Sequence, residues 1–119
     1  MSAGPTEAAA DTEFVRVCQL DDLSVGRPAL AVIHEVRVAV VRTGEREVHA
    51  VNDTCTHGQV SLSEGEVDGY TLECWLHGSR FNLCTGEPTG PPATQPVAVY
   101  PVRIEGEDVL IALTPQNES

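Results

Sequence analysis

The sequence contains no lysine: its seven basic side chains are all arginines, set against 18 acidic ones, and the formal net charge at pH 7 is −11. Nucleic-acid binding draws its affinity from contacts to phosphates and needs a basic surface, so this charge balance argues against it. It argues equally against docking on anionic lipid. The natural complement of such a surface is a partner protein with a basic patch.

Long apolar runs are also missing. No segment approaches the roughly 18 consecutive apolar residues of a membrane helix, so no membrane span is expected. The first twelve residues have no basic start and no apolar core, and they carry Glu7 and Asp11, which is unlike a secretory signal. We therefore expect a cytoplasmic protein whose four cysteines serve as metal ligands or buried thiols rather than disulfides.

Helical periodicity is absent from every stretch of about 11 residues. Short β-type runs separated by turn residues instead predict one all-β domain over residues 13–113, between flexible tails at 1–12 and 114–119. Pro101 should make the run 97–104 an edge or bulged strand. The predicted strands are 14–20, 28–33, 36–42, 47–52 (a hairpin with the preceding run), 70–74, 80–84, 97–104 and 109–113, with one helical turn near 62–65.

Candidate chemistry lies in two predicted loops, residues 53–66 and 75–79. The first holds the pair Cys55 and His57, and the second follows Cys74 and holds His77. Each pair stands at the end of a predicted strand, and a glycine, Gly58 or Gly78, comes directly after each histidine. Glycine lets backbone N–H groups approach a ligand closely. A third stretch, 87–96, carries four of the eight prolines and is typical of a stiff lid over a neighbouring site.

Two thiolates and two imidazoles suit either tetrahedral zinc or an iron–sulfur cluster in which each iron takes two protein ligands. A Cys and a His so close in one loop would crowd a single ion shared with the other loop. Two irons held apart by sulfides remove that conflict. A zinc site and a chance assembly of unrelated side chains are the alternatives.

These two boxes, Cys55-Thr56-His57-Gly58 and the run from Cys74 to Phe81, resemble those of the Rieske 2Fe-2S family, and the resemblance covers residues 14–113. It implies an antiparallel β sandwich or barrel-like base with two cluster-binding loops and a proline loop at one tip. It further implies one 2Fe-2S cluster. The implied ligands are Cys55, His57, Cys74 and His77, and the residues around and over the cluster are Gly58, Trp75, Gly78, Ser79, Phe81, Pro91 and Pro92.

Three positions differ from the high-potential members of this family and indicate which subfamily the chain resembles. High-potential members have a disulfide where Val60 and Leu76 stand here, and a tyrosine donor where Phe81 stands. Ser79 matches their serine donor. Fewer donors to the sulfurs imply a potential in the lower part of the Rieske range, roughly −150 to 0 mV. The chain thus resembles the soluble ferredoxin component of bacterial ring-hydroxylating oxygenase systems.

The resemblance implies a monomeric one-electron carrier that is not an enzyme on its own. Electrons would come from an NAD(P)H-dependent flavoprotein reductase and go to a terminal oxygenase, each docking transiently through a basic surface. The alternatives are the small subunit of a nitrite reductase, a Rieske protein beside the iron–sulfur assembly machinery, and a zinc-stabilised interaction module. The sequence identifies neither the oxygenase nor its substrate.

The remaining residues of interest receive structural interpretations. Cys18 and Cys84 are expected to be buried small hydrophobes. His34 and His49 are expected to be structural or exposed. Residues 53–87 should give the cluster acidic surroundings, because they include six acidic residues against the single Arg80; these are Asp53, Glu64, Glu66, Asp68, Glu73 and Glu87.

Overall fold

The all-β prediction is confirmed by the computed structural model, which describes residues 14–54, 60–75, 78–90 and 95–114. This part of the chain holds ten strands and two short 3-10 helices. The strands are β1 (Phe14–Gln19), β2 (Pro28–Ile33), β3 (Val36–Gly44), β4 (Glu47–Asn52), β5 (Glu66–Asp68), β6 (Thr71–Glu73), β7 (Arg80–Asn82), β8 (Val99–Tyr100), β9 (Val102–Glu105) and β10 (Asp108–Ala112); the helices are Leu20–Asp22 and Leu62–Glu64.

The strands form three antiparallel sheets. The first has the order β1-β10-β9, the second β2-β3-β4-β8 and the third β5-β6-β7. The predicted hairpin is confirmed: β3 and β4 pair with Val41 opposite His49. In the first sheet Phe14 lies opposite Ala112, so the two ends of the described domain are tied together. The third sheet is the smallest, and it carries the second predicted ligand loop between β6 and β7.

Two apolar cores lie on opposite faces of the second sheet, and β3 is therefore buried on both sides. Val38 and Val40 enter the core shared with the first sheet, whereas Ala39 and Val41 enter the core shared with the third. A strand covered on both faces reads as a continuous apolar run, which explains the valine-rich sequence of β3. The core toward the third sheet, called here the site core, contains Ala39, Val41, Val51, Leu62, Leu72, Cys74, Phe81, Leu83, Val97 and Val99.

The predicted strand 97–104 is two strands. β8 pairs with β4 in the second sheet, and β9 pairs with β10 in the first. Pro101 stands between them, where its missing N–H interrupts the ladder and the chain passes from one sheet to the next. Proline therefore marks a change of sheet here, rather than an irregularity within one strand.

Smaller differences concern short elements. The strand β5 was not predicted, because Val67 is its one apolar residue, and the run 14–20 ends in a 3-10 turn from Leu20. The expected helical turn near residues 62–65 is confirmed as Leu62–Glu64. Apart from Thr114, the predicted tails 1–12 and 114–119 lie outside the described residues. No helix among the described segments is long and apolar enough to cross a membrane.

Candidate metal centre

The second ligand loop begins where β6 ends, at Cys74. This residue is only 2% exposed and belongs to the site core. Its N–H donates to the carbonyl oxygen of Ser79 at 2.6 Å, and the N–H of Gly78 donates to the carbonyl oxygen of Cys74 at 3.0 Å. Gly78 has a φ of +79°, a conformation that L side chains disfavour. These two bonds close the base of the loop; His77, like Leu76, lies outside the described residues.

Side chains next to Cys74 differ sharply in exposure. Ser79 and Phe81 are fully buried, and Phe81 packs in the site core together with Cys74. Trp75, in contrast, is 51% exposed although it is the largest side chain of the region. The resemblance places Trp75 around the cluster, and its exposure leaves half of the side chain accessible to a partner protein.

The first ligand loop leaves β4 and returns through the helical turn at Leu62. Thr54 and Ser61 form an isolated antiparallel bridge, and the Leu62 N–H donates to the carbonyl oxygen of Asp53 at 2.6 Å. Val60 packs against the site core, the same core that holds Cys74. Both loops are therefore rooted in one apolar cluster. The predicted site residues Cys55, His57 and Gly58 lie outside the described residues.

Asp53 was expected to contribute to an acidic surface, and this expectation is wrong. Its side chain is completely buried. Oδ1 accepts a hydrogen bond from the Ser63 N–H at 2.8 Å, and Oδ2 accepts one from the Ser61 hydroxyl. The guanidinium of Arg37 lies 3.6 Å from Oδ2. The carboxylate is an internal acceptor at the base of the first loop, which the sequence alone did not indicate.

The proline-rich stretch 87–96 is anchored to the strand that follows the second loop. Pro88 forms an isolated bridge with Phe81, and the Thr89 N–H donates to the carbonyl oxygen of Arg80 at 2.8 Å. At its other end the Val97 N–H donates to the carbonyl oxygen of Gly86 at 2.9 Å. The predicted cover residues Pro91 and Pro92 lie outside the described residues.

The cysteines outside the boxes only partly match expectation. Cys84 is exposed, so its predicted burial is wrong. The neighbouring Leu83 is fully buried, and the turn after β7 directs Cys84 to the opposite side. Cys18 is half-buried against the core between the first and second sheets. Burial, and secondarily the nearby Asp22 carboxylate, raises the pKa of the Cys18 thiol above its ordinary value.

His34 and His49 occupy very different environments. His34 is exposed in the β2–β3 turn, where it and Glu35 both have positive φ values of 50° and 69°. His49 is partly buried, and its ring makes an edge-to-face contact with Tyr70 at 5.7 Å between centroids. Its Nε2 is buried and has no hydrogen-bond partner among the described residues. Burial lowers the pKa of His49, opposed by the nearby Glu47 carboxylate.

Charge around the third sheet remains negative after pairing. Arg80 reaches both Asp68 and Glu73, with N–O distances of 3.5 Å to each. Glu64, just before β5, and Glu66, within it, are also exposed. Arg80 therefore shares one positive charge between two carboxylates, and the region keeps the net negative charge that the sequence predicts. Asp53 does not contribute to this surface charge because it is buried.

The described residues fit the implied cluster. A buried thiol at a sheet end, Cys74, is held by two main-chain hydrogen bonds, one to Ser79 and one from Gly78. With the cysteine and the two histidines that the sequence analysis singled out, it would complete the donor set of a Rieske centre. Sequence reasoning missed Asp53, Ser61 and Gly65; the available signal was a carboxylate directly after an apolar strand, followed by serines eight and ten residues later.

Comparison with known proteins agrees with this assignment. A family model described as the Rieske [2Fe-2S] domain matches residues 13–101. The biphenyl dioxygenase ferredoxin subunit of Pseudomonas sp. (strain KKS102) is 42% identical over 99 residues, 82% of this chain and 90% of that protein. The ferredoxin of carbazole 1,9a-dioxygenase from Nocardioides aromaticivorans IC177 superposes with a TM-score of 0.80 at 36% identity, covering 85% and 98% of the two chains.

A further match is a ferredoxin solved together with its oxygenase. In a complex of reduced oxygenase and oxidized ferredoxin in carbazole 1,9a-dioxygenase, the matching chain has a TM-score of 0.80 at 38% identity, covering 88% of this chain and 97% of that one. A nitrite reductase small subunit from Mycobacterium tuberculosis has a TM-score of 0.77 at 24% identity, which shows the fold alone. With the family model and these relatives in agreement, the chain belongs to the Rieske [2Fe-2S] domain family and binds one Rieske-type 2Fe-2S cluster.

Proposed function

We propose that this chain is the ferredoxin component of a ring-hydroxylating oxygenase system, a one-electron carrier that is not an enzyme on its own. The observation that carries the proposal is the 42% identity to a dioxygenase ferredoxin subunit over 90% of that subunit's length. A family model for the Rieske [2Fe-2S] domain, matched over residues 13–101, also supports it. In such a system the final substrate would bind to the oxygenase, and this chain would only deliver electrons to it.

The ligands we propose are Cys55 and Cys74 on one iron and His57 and His77 on the other. The burial of Cys74 at the end of β6 supports this assignment, because a thiolate bound to iron inside an apolar core is shielded from water and oxidants. The histidines stand at the outer ends of their boxes, two and three residues after the cysteines. This order fits a cluster whose cysteine side faces the core and whose histidine side faces the partner.

The cluster, when bound, supplies the site that accepts and releases the electron. The chain's own residues limit how much that site reorganises. Backbone hydrogen bonds close the second loop between Cys74 and Ser79, and others close the first loop between Asp53 and Leu62. Phe81 and Val60 pack around the base and keep water out. Loops held in one geometry cost little rearrangement as charge changes, which favours rapid transfer.

Partner contacts are proposed at the loop tip. Ferredoxins similar to this chain are found in complex with the terminal oxygenase. Trp75 is 51% exposed beside the proposed ligand Cys74, and a large exposed aromatic residue is a typical interface anchor. The exposed carboxylates of Glu64, Glu66 and Asp68 would meet basic surfaces on the oxygenase and on a flavoprotein reductase. A monomer in the cytoplasm completes the proposal.

The alternatives receive less support. Relatives that are 42% and 35% identical are named as ferredoxin components of dioxygenase systems, whereas the nitrite reductase subunit above matches only at fold level. A role beside the iron–sulfur assembly machinery has no relative that favours it among these. A zinc-stabilised module is not favoured, because the family's cofactor is the 2Fe-2S cluster.

The test is reconstitution with a reductase, NADH and the terminal oxygenase of a biphenyl dioxygenase system, a choice that follows the first relative above. We expect the reduced protein to be reoxidised by the oxygenase and to support oxygen-dependent product formation. The control is Cys74→Ser, which should lose the visible spectrum and the turnover together. A fully loaded wild-type protein that accepts electrons from no reductase of this class, and donates none to the oxygenase, would overturn the proposal.

A further inference from the structure

The base of the first ligand loop is organised around one carboxylate. Asp53 follows the last residue of β4 and stands two positions before the proposed ligand Cys55. It is completely buried, and its carboxylate and main chain bind residues 61–63, on the far side of the loop. The side chain accepts the Ser63 N–H at 2.8 Å and the Ser61 hydroxyl, and its carbonyl accepts the Leu62 N–H at 2.6 Å. Three successive residues of the returning chain are thus bound by one residue of the departing chain.

Strand β3 holds the same carboxylate from the other side. The N–H of Asp53 donates to the carbonyl oxygen of Arg37 at 3.0 Å. The Arg37 guanidinium lies 3.6 Å from Oδ2 and donates to the Ser61 Oγ at 3.2 Å. A buried carboxylate needs a compensating charge and satisfied acceptors, and this arrangement supplies both. The contacts therefore fix the position of Asp53 relative to the second sheet.

The returning chain then reaches the second ligand loop. After the helical turn, Gly65 lies so near β6 that a Cβ on it would be 1.7 Å from the carbonyl oxygen of Glu73, the residue before Cys74. Leu62 is fully buried in the site core that also contains Cys74. The segment 61–65 consequently connects two points. At one end it binds the Asp53 carboxylate, and at the other it contacts the main chain of Glu73, directly before Cys74.

We infer that Asp53 is a positioning residue that fixes the first ligand loop relative to the second, and so sets the geometry in which the cluster is held. The inference rests on the proposed function for the identity of the ligands. Asp53 itself touches no proposed ligand side chain in the described residues. It acts through the turn 61–65, and its removal should loosen the spacing of the two loops while the sheets stay formed.

The experiment compares Asp53→Asn with Asp68→Asn in the cluster-loaded protein. Both substitutions remove one negative charge, but Asp68 is exposed and pairs only with Arg80 among the described residues. Asparagine at position 53 loses one acceptor and leaves Arg37 without its partner charge. We expect Asp53→Asn to release its iron at least about tenfold faster than wild type and to broaden or shift the EPR signal of the reduced cluster. Asp68→Asn should match wild type in both measurements.

Two smaller substitutions at Ser61 test the same contact in case Asp53→Asn fails to fold. Ser61→Ala removes one hydroxyl contact to Asp53, whereas Ser61→Thr keeps a hydroxyl at the same place. We expect faster iron release and an altered EPR signal in Ser61→Ala, with both largely restored in Ser61→Thr. Far-UV circular dichroism and the unfolding midpoint, measured on the same samples, show whether the sheets persist.

The results separate this inference from the proposed function. If Asp53→Asn and Ser61→Ala bind the cluster with wild-type release rates and EPR signals, the positioning role is overturned while the carrier function stands. If iron release in both variants rises only in proportion to a lowered unfolding midpoint, with an unchanged EPR signal, Asp53 supports the fold and the inference is also overturned. A wild-type protein without a Rieske EPR signal would instead overturn the proposed ligands.

Discussion

Gly65 and Glu73 are in direct backbone contact: a Cβ on Gly65 would lie 1.7 Å from the carbonyl oxygen of Glu73. Real side chains cannot occupy that space, so the contact requires glycine. Glu73 is the last residue of β6, and Cys74 follows it. The distance between the return of the first ligand loop and the start of the second is thereby set by two main chains, without an adjustable side chain between them.

Gly65→Ala should therefore disturb both stability and the cluster. The backbone must shift to accept the methyl group, and overpacking of this kind costs about 1–3 kcal/mol of unfolding free energy. The measurement is the denaturant midpoint together with the rate of iron release. Gly90→Ala is the control, since no atom of the described residues lies within 4 Å of a Cβ at that position. Equal behaviour of the two variants would contradict the contact.

Ser79→Ala should lower the reduction potential. The resemblance assigns the serine hydroxyl a hydrogen bond to cluster sulfur, and Ser79 is fully buried beside Cys74. Such a bond stabilises the reduced, more negative cluster. Its loss should lower the potential by about 20–60 mV, the value of one neutral hydrogen bond expressed for one electron. Protein-film voltammetry measures it, with Thr71→Val, which removes a hydroxyl bound to the Asp68 carbonyl, as the control.

The stability of the fold should decrease below about pH 6.5 partly because of His49. Burial lowers the pKa of His49 in the folded protein, and Glu47 only partly opposes this. The unfolded chain then takes up a proton at a pH where the folded chain does not, so falling pH favours unfolding. We expect His49→Phe to lose less of its thermal midpoint than wild type between about pH 7.5 and 5.5. His34→Phe, at an exposed turn, should follow wild type.

Electron transfer to the oxygenase should slow as salt rises, since exposed acidic groups are screened by ions. Glu66→Gln should reduce the second-order rate constant at low salt by about twofold or more, with the difference lost near 0.5 M salt. Glu107→Gln makes the same change in the exposed β9–β10 turn and should leave the rate constant unaltered. If the wild-type rate does not depend on salt, the exposed carboxylates of Glu64, Glu66 and Asp68 take no part in docking.

Much of this architecture could be predicted from the sequence. Alternation and β-branched residues located the long strands, because a valine-rich run such as β3 fits only a buried strand in a chain without helical periodicity. The Cys/His boxes stood out since their spacing and the following glycines occur together twice. Proline at position 101 indicated an interruption, although the change of sheet depends on which strands β8 and β9 pair with.

Other features depend on contacts that the local sequence pattern does not show. Asp53 is counted as acidic surface until Ser61 and Ser63 are seen to return beside it. Cys84 resembles a small core residue until the turn after Leu83 places it outside. The strand β5 has one apolar residue and forms because β6 pairs with it. The partners of Asp53 lie too far along the chain for a local pattern to reveal, whereas Cys84 and β5 depend on the geometry of a turn and a hairpin that their few apolar residues do not indicate.

The central claim is that one 2Fe-2S cluster is held by two cysteines and two histidines of this chain. The most direct measurement is pulsed EPR of the dithionite-reduced protein, purified with ¹⁵N-labelled histidine. We expect an average g below the free-electron value and hyperfine coupling to two histidine nitrogens, with one nitrogen lost in His77→Cys. A reduced cluster with no nitrogen coupling, or a protein that binds metal without an EPR signal on reduction, would contradict it.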